Sequence, residues 1–313
     1  MRRLPPAGGA GTLAGIALAI VGAVGFAAKG VIAKFLYADG WGAETVLTIR
    51  SFLALPIMAV WALWAAGPSA VLRPPPQALL GAAVAGALSY YVGALLDFRA
   101  LTMIDASVER VLLFAYPSLV VVLYAVLYRE WPERRVLAAL CITYVGIVMV
   151  VTGLDARVLQ GNGAGAGLVL VCALGSALYY LASDRWTASI GSVAFTFYAL
   201  GAATVCLGLH RLIAGGDAPA VWSRRDLWLV LALVVLATVL PMLAMAEAVR
   251  RLGAPRASVV AAVGPPTTIL LGAWLLDERL RRAQWIGVAL IVAGILVLEL
   301  SKRPAPAAGS AAG

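Results

Sequence analysis

Five charged residues in the first half of the chain, Lys29, Arg50, Asp97, Glu109 and Arg110, lie inside long apolar runs or within a turn or so of their ends. A charge at mid-bilayer depth costs about 2.5–3.5 kcal/mol on insertion scales, so each is expected to face protein or water rather than lipid. Two chemistries suit such a set. A carboxylate removed from water is a candidate proton carrier, which singles out Glu109 and, in the second half, Glu247. A buried cation without a protein partner is a candidate anchor for an anionic solute. Lys29, Arg50 and Arg110 outnumber Asp97 and Glu109, so one cation is left for solvent, a backbone carbonyl or the solute. Arg50 is the better anchor, because a guanidinium grips a carboxylate through two parallel bonds. Lys29 has the longer flexible stem and more easily reaches the headgroups.

Other chemistry finds little support. His210 is the only histidine and falls near the end of an apolar run, where an interfacial role is the plain reading. No histidines or carboxylates stand at metal-ligand spacing, and no nucleophile–base pair is legible. Neither a metal, a cofactor nor a catalytic residue is expected. The three cysteines, Cys141, Cys172 and Cys206, fall in apolar runs and do not read as a disulfide framework. A net charge of +9 suits anionic lipid headgroups, since no basic face is left to hold a nucleic acid.

The elements that must position these residues follow from composition. The 313 residues are 63% hydrophobic and only 12% charged, more apolar than a soluble core requires. Apolar runs of about 20 residues match the bilayer core of about 30 Å. Ten spans are expected, near residues 12–32, 46–64, 77–98, 106–128, 136–152, 167–186, 193–213, 227–249, 257–276 and 284–300. Residues 154–167 form a glycine-rich linker, and the tail from about residue 302 reads as disordered. The pattern also repeats. Pro117, Glu130 and Gly146 are matched at one constant offset by Pro265, Glu278 and Gly294. Residues 1–153 and 154–313 are therefore expected to be two five-helix repeats. An odd number of helices per repeat inverts one relative to the other, with a substrate held near the midplane between them.

By parity, Lys29, Arg50, Asp97, Glu109 and Arg110 share one mouth, while Asp184, Arg185, Glu247, Arg250 and Arg256 share the opposite one. For Asp184, Arg185, Arg250 and Arg256 the plainer reading is that they reach water or headgroups. Near the midplane lie Ser89, Tyr90, Tyr91, Tyr116, Ser176, Tyr179, Tyr180 and Thr238, with the Pro265–Pro266 break. Tyrosine offers an apolar face and a hydroxyl, which suits a small organic solute, although ordinary packing explains any single one. Carbonyls freed by a proline pair are tolerated where they line a cavity.

With Pro117, Glu130, Gly146 and their second-half matches, the chain resembles the drug/metabolite transporter superfamily in its ten-helix EamA-type branch. The segments KGVIAKFLYADG, LTIRSFLALP and DFRALTMIDASVERVLLFAYPSLVV resemble one bacterial subgroup of that branch. Gly25-Phe26 stands where many members have Trp-Gly. The resemblance implies an all-α integral membrane protein of the bacterial inner membrane with cytoplasmic termini. Counting Lys and Arg gives a tie between the two sides, which leans inward only with Lys29, Arg50 and Arg110 set aside as embedded. The expected function is secondary transport of a small organic metabolite, a carboxylate or amino acid, in the direction of export. Protons are the candidate coupling ion, the lipid bilayer is the surrounding partner, and a homodimer is compatible with the pattern. Two rival readings are a membrane enzyme acting on lipid-linked substrates and a scaffold without transport.

Overall fold

The computed structural model describes residues 9–100, 103, 112–129, 131–152, 163–214, 222–264, 266–267, 270–271 and 282–300. Every regular element among them is helical, as the lipid environment demands of a chain that must bond its own backbone. Five described stretches are long and apolar enough to cross a bilayer: Gly11–Lys29, Glu44–Ala65, Pro76–Asp97, Gly163–Ile213 and Arg224–Leu252.

Helices α1 (Gly9–Ala38) and α2 (Ala43–Ala65) are joined through Gly40, and the short α3 (Pro68–Leu72) follows. The third span begins as α4 (Pro76–Gly86), widens into a π-helical turn over Ala87–Gly93, and resumes as α5 (Ala94–Ala100). Then come α6 (Tyr116–Tyr128), α7 (Arg134–Thr152) and the long α8 (Gly163–Ala214). Helix α9 (Arg224–Val234) also opens into a π-helical turn, Val235–Val239, before α10 (Leu240–Leu252). Pro241 accounts for this second wide turn: it has no N–H to donate and its ring crowds the carbonyl four residues back. Thr238 adds a bond from its Oγ1 to the Leu233 carbonyl, five residues earlier (2.8 Å). Helix α11 (Ala254–Val260) tightens into a 3-10 turn at Ala261–Val263 just before the proline pair, and α12 (Arg282–Leu300) ends the described chain.

Two spans were expected within residues 163–214, with a loop between Trp186 and Val193. Two helices are present, but the first runs on past Trp186 to a one-residue break at Gly191, whose φ of 80° and ψ of 157° suit only glycine. The reason is local. Thr187 Oγ1 bonds the Ser183 carbonyl (2.6 Å) and Ser189 Oγ the Trp186 carbonyl (2.9 Å), so polar residues that read as loop cap the helix from within.

Small residues let the spans approach closely. A Cβ on Gly146 of α7 would lie 2.7 Å from the Gly287 carbonyl and 2.8 Å from Ile291 on α12. A Cβ on Gly294 of α12 would lie 2.3 Å from Thr143 and 2.9 Å from the Ala139 carbonyl on α7. The two helices therefore run antiparallel in tight contact. Helix α1 is likewise antiparallel to α10, with Gly15 against Leu252, Gly22 against Met245 and Gly25 against Pro241. The third span pairs with the first part of α8, from Gly81 against Trp186 to Gly93 against Cys172. One buried cluster, centred on Phe195, Tyr116, Tyr179, Tyr180 and Ile147, fills the middle of the bundle. A second, with Leu36, Trp41, Met58 and Met242, lies toward the α1–α2 end.

Candidate functional site

The first π-helical turn carries Tyr90 into the bundle, where its ring meets Tyr179 edge-on at 4.8 Å between centroids. Tyr179 packs on Phe195 at 5.5 Å. Its neighbour Tyr180 points about 100° away around α8, as adjacent helical residues must, and meets Tyr116 at 5.3 Å. The four rings thus form two pairs bridged by consecutive residues of one helix. Tyr180 lies near Tyr116, Tyr90 and Tyr179, and Tyr90 near Arg50. Arg50, on α2, also lies near Tyr37 at the end of α1, and Tyr37 near Asp97 at the end of the third span. These polar groups follow one another as a thread from Asp97 and Tyr37 at one end of the bundle, past Arg50, to the tyrosine cluster.

Several atoms on this thread are buried without a hydrogen-bond partner in the protein: Arg50 Nε, Asp97 Oδ1 and Tyr37 OH. An unsatisfied buried polar group costs about 1–3 kcal/mol, and more when charged. Natural folds keep few of them, so three on one thread mark it as a place for hydrogen-bonding solute or water.

At the opposite end one carboxylate is saturated. Glu247 on α10 accepts from Ser192 Oγ (2.6 Å), Arg250 Nε (2.7 Å) and Arg251 Nε (2.7 Å), with a further close bond from Arg250. Asp184 accepts from the Ala254 N–H (3.2 Å) and so covers the start of α11. Glu247 lies at the level of residues 15–22 of α1, about 25 Å along that helix from Tyr37.

Of the residues singled out from sequence, Arg50, Tyr90, Asp97, Tyr116, Tyr179 and Tyr180 come together along the thread. Tyr91 does not. It faces away from Tyr90, with its hydroxyl 3.3 Å from His210 Nδ1 and the rings 6.0 Å apart. His210 is therefore tied to the third span rather than simply set at the interface. Lys29 is half-buried on α1 and has a partner of its own. Glu109, Arg110 and Pro265, like Glu130 and Glu278, lie outside the described residues. Sequence reading missed Tyr37 and Ser192. Ser192 had a signal, a hydroxyl directly after a turn glycine; Tyr37 had none beyond its place near the end of an apolar run.

The EamA-like transporter family model matches residues 13–152 and 163–300. The uncharacterized transporter YcbK of Bacillus subtilis (strain 168) is 31% identical over 299 residues, 92% of this chain and 94% of that protein. The uncharacterized inner membrane transporter YicL of Salmonella typhimurium is 24% identical over 93% of this chain and 97% of its own. YedA of Escherichia coli (strain K12), also named an uncharacterized inner membrane transporter, is 26% identical over 75% of each chain. One solved crystal structure superposes with a TM-score of 0.72 at 22% identity, covering 93% of this chain and 96% of that one, and so shares the fold. With its apolar helical spans and a family match over nearly its whole length, the chain belongs to the EamA-like transporter family and is a membrane transporter.

Proposed function

We propose that the protein is a secondary carrier of the bacterial inner membrane that moves a small carboxylate-bearing metabolite, an amino acid or organic acid, outward by alternating access. The observation that carries this reading is Arg50: its Nε is buried without a protein partner at the head of a tyrosine-lined thread. A solute carboxylate supplies the missing acceptor, and the aromatic faces below it suit an organic body. The test is uptake into liposomes holding the full chain, with labelled carboxylates, amines and neutral solutes. Arg50→Lys keeps the charge and loses the fork, so carboxylate transport should fall at least tenfold at unchanged expression. Normal transport by Arg50→Lys, or competition from neutral and cationic solutes alone, would remove the carboxylate anchor.

Two inverted halves, residues 1–153 and 154–313, supply the alternation in this reading. Several observations support it. Gly146 meets residues 287 and 291, while Gly294 meets 139 and 143, so the two sets differ by the same offset that relates Pro117 to Pro265. Reciprocal contacts of this kind between antiparallel helices fit a two-fold axis lying across them, in the membrane plane. Each π-helical turn follows an α-helix of 11 residues in the third span of its half. The family match also stops and restarts at the glycine-rich linker. Single cysteines replacing Pro132 and Arg281 in a cysteine-free background should react with an impermeant maleimide from opposite sides. Reaction from the same side would end the inverted arrangement.

A further inference from the structure

A groove of about 490 Å³ runs along the outer surface between the third span and α8. Its walls are one face of each helix: Leu80, Val84 and Leu88 at four-residue spacing on one side, Leu178 and Ala182 on the other. The leucines and Val84 are between 36% and 65% exposed, so they face lipid rather than the bundle. The two helices are antiparallel, which brings Gln77, Arg185 and Trp186 together at one end and leaves the other end apolar. From Gln77 to Leu88 the helix rises about 16 Å, half the thickness of a bilayer core. The groove thus has the length of one leaflet and a cation at its water end.

That cation is held in place. The Arg185 guanidinium lies 5.0 Å from the centre of the Trp186 ring, and the indole is seated against Gly81, where a Cβ would come within 2.2 Å of Nε1. The neighbouring Asp184 turns Oδ1 to the Ala254 N–H on another helix. Arg73, exposed just before the third span, adds positive charge at the same end. The seam between α1 and α10 is closed at Gly25, where a Cβ would lie 2.3 Å from the Pro241 ring.

We propose that this groove is a binding site for an anionic phospholipid, with one acyl chain between the third span and α8 and the headgroup on Arg185. Apolar walls of leaflet length select a chain, and the fixed guanidinium selects negative charge over a zwitterion. The site is separate from the solute thread, so its failure leaves the transport reading untouched.

The test is native mass spectrometry of the full-length protein, titrated with phosphatidylglycerol or with phosphatidylcholine of the same chains. Phosphatidylglycerol should be retained preferentially, and Arg185→Gln should weaken its binding about fivefold while leaving phosphatidylcholine unchanged. Val84→Trp, at an exposed position, should block both lipids without shifting the melting temperature. Equal retention of the two lipids overturns the proposal, as does an unchanged preference in Arg185→Gln or full binding by Val84→Trp. So does effective competition by glycerol phosphate, which carries the anion without the chain.

Discussion

The two ends of the bundle use similar residues to opposite effect. At one, Glu247 near the end of α10 meets Ser192 just after the Gly191 break; at the other, Arg50 on α2 and Asp97 near the end of the third span both lie near Tyr37. At the first end Glu247 itself is fully bonded, with one hydroxyl and two guanidiniums converging on its carboxylate, and Ser183 Oγ is the buried group left without a partner nearby. At the Asp97 end, Arg50 Nε, Asp97 Oδ1 and Tyr37 OH are buried without protein partners. A saturated network rigidifies, while an unsatisfied one leaves its donors and acceptors for something else to bind. The contrast suits alternating access, in which one mouth is latched while the other offers its polar groups to the solute.

If that contrast is real, mutations at the two ends should fail in different assays. The largest effect is expected from Arg50→Met. Removing the anchor of a buried charge pair is worth about 2–5 kcal/mol in recognition, so carboxylate transport should fall by a factor of about 30 or more. Stability should hold or rise, because the arginine leaves behind no protein partner at Nε. Glu247→Gln should show the reverse order. Its loss strands Arg250 and Arg251, which are about one-third exposed, so about 1–2 kcal/mol of stability should go, read as a lower melting temperature in detergent. Glu247 was also a candidate proton carrier from sequence. A carboxylate committed to three side chains fits a latch better, and Glu247→Gln should then keep the pH dependence of transport. A large stability loss in Arg50→Met, or lost pH coupling in Glu247→Gln, would break the comparison.

Much of this layout was legible in the sequence, for identifiable reasons. Bilayer thickness sets the length of an apolar run, so long apolar helices could be read directly; the glycines at 146 and 294 were legible only as a repeat, and the structure adds that α7 and α12 meet there. The tyrosines at 90, 116, 179 and 180 were picked by depth alone, and depth is what helix ends fix. Rotation about the helix axis is not fixed by depth, which is why Tyr91 was grouped with Tyr90 although it turns to His210. The π-helical turns were not legible either. The first contains no proline, and its wider register is set by packing rather than by residue type. Nor does sequence spacing reveal that Arg50 Nε lacks a partner, since that depends on what α1 and the third span bring beside it.

The smallest expected effect is the most discriminating test of the thread. Tyr179 is buried, its ring is held between Tyr90 and Phe195, and its hydroxyl lies beside the Tyr90 and Thr196 hydroxyls. Tyr179→Phe keeps the ring contacts and removes only the hydroxyl. If that oxygen serves the protein alone, its removal should cost up to about 1 kcal/mol of stability with transport unchanged. If it serves the solute, the apparent KM should rise about fivefold, the equivalent of one hydrogen bond of about 1 kcal/mol, with stability unchanged or higher. Tyr144→Phe is the control, because the Tyr144 hydroxyl already donates to the Phe114 carbonyl at 2.5 Å. That variant should lose about 1 kcal/mol of stability and leave KM alone. A rise in KM for Tyr179→Phe without one for Tyr144→Phe assigns the Tyr179 hydroxyl to the solute. Equal behaviour of the two variants would make the thread ordinary core and leave Arg50 as the sole anchor.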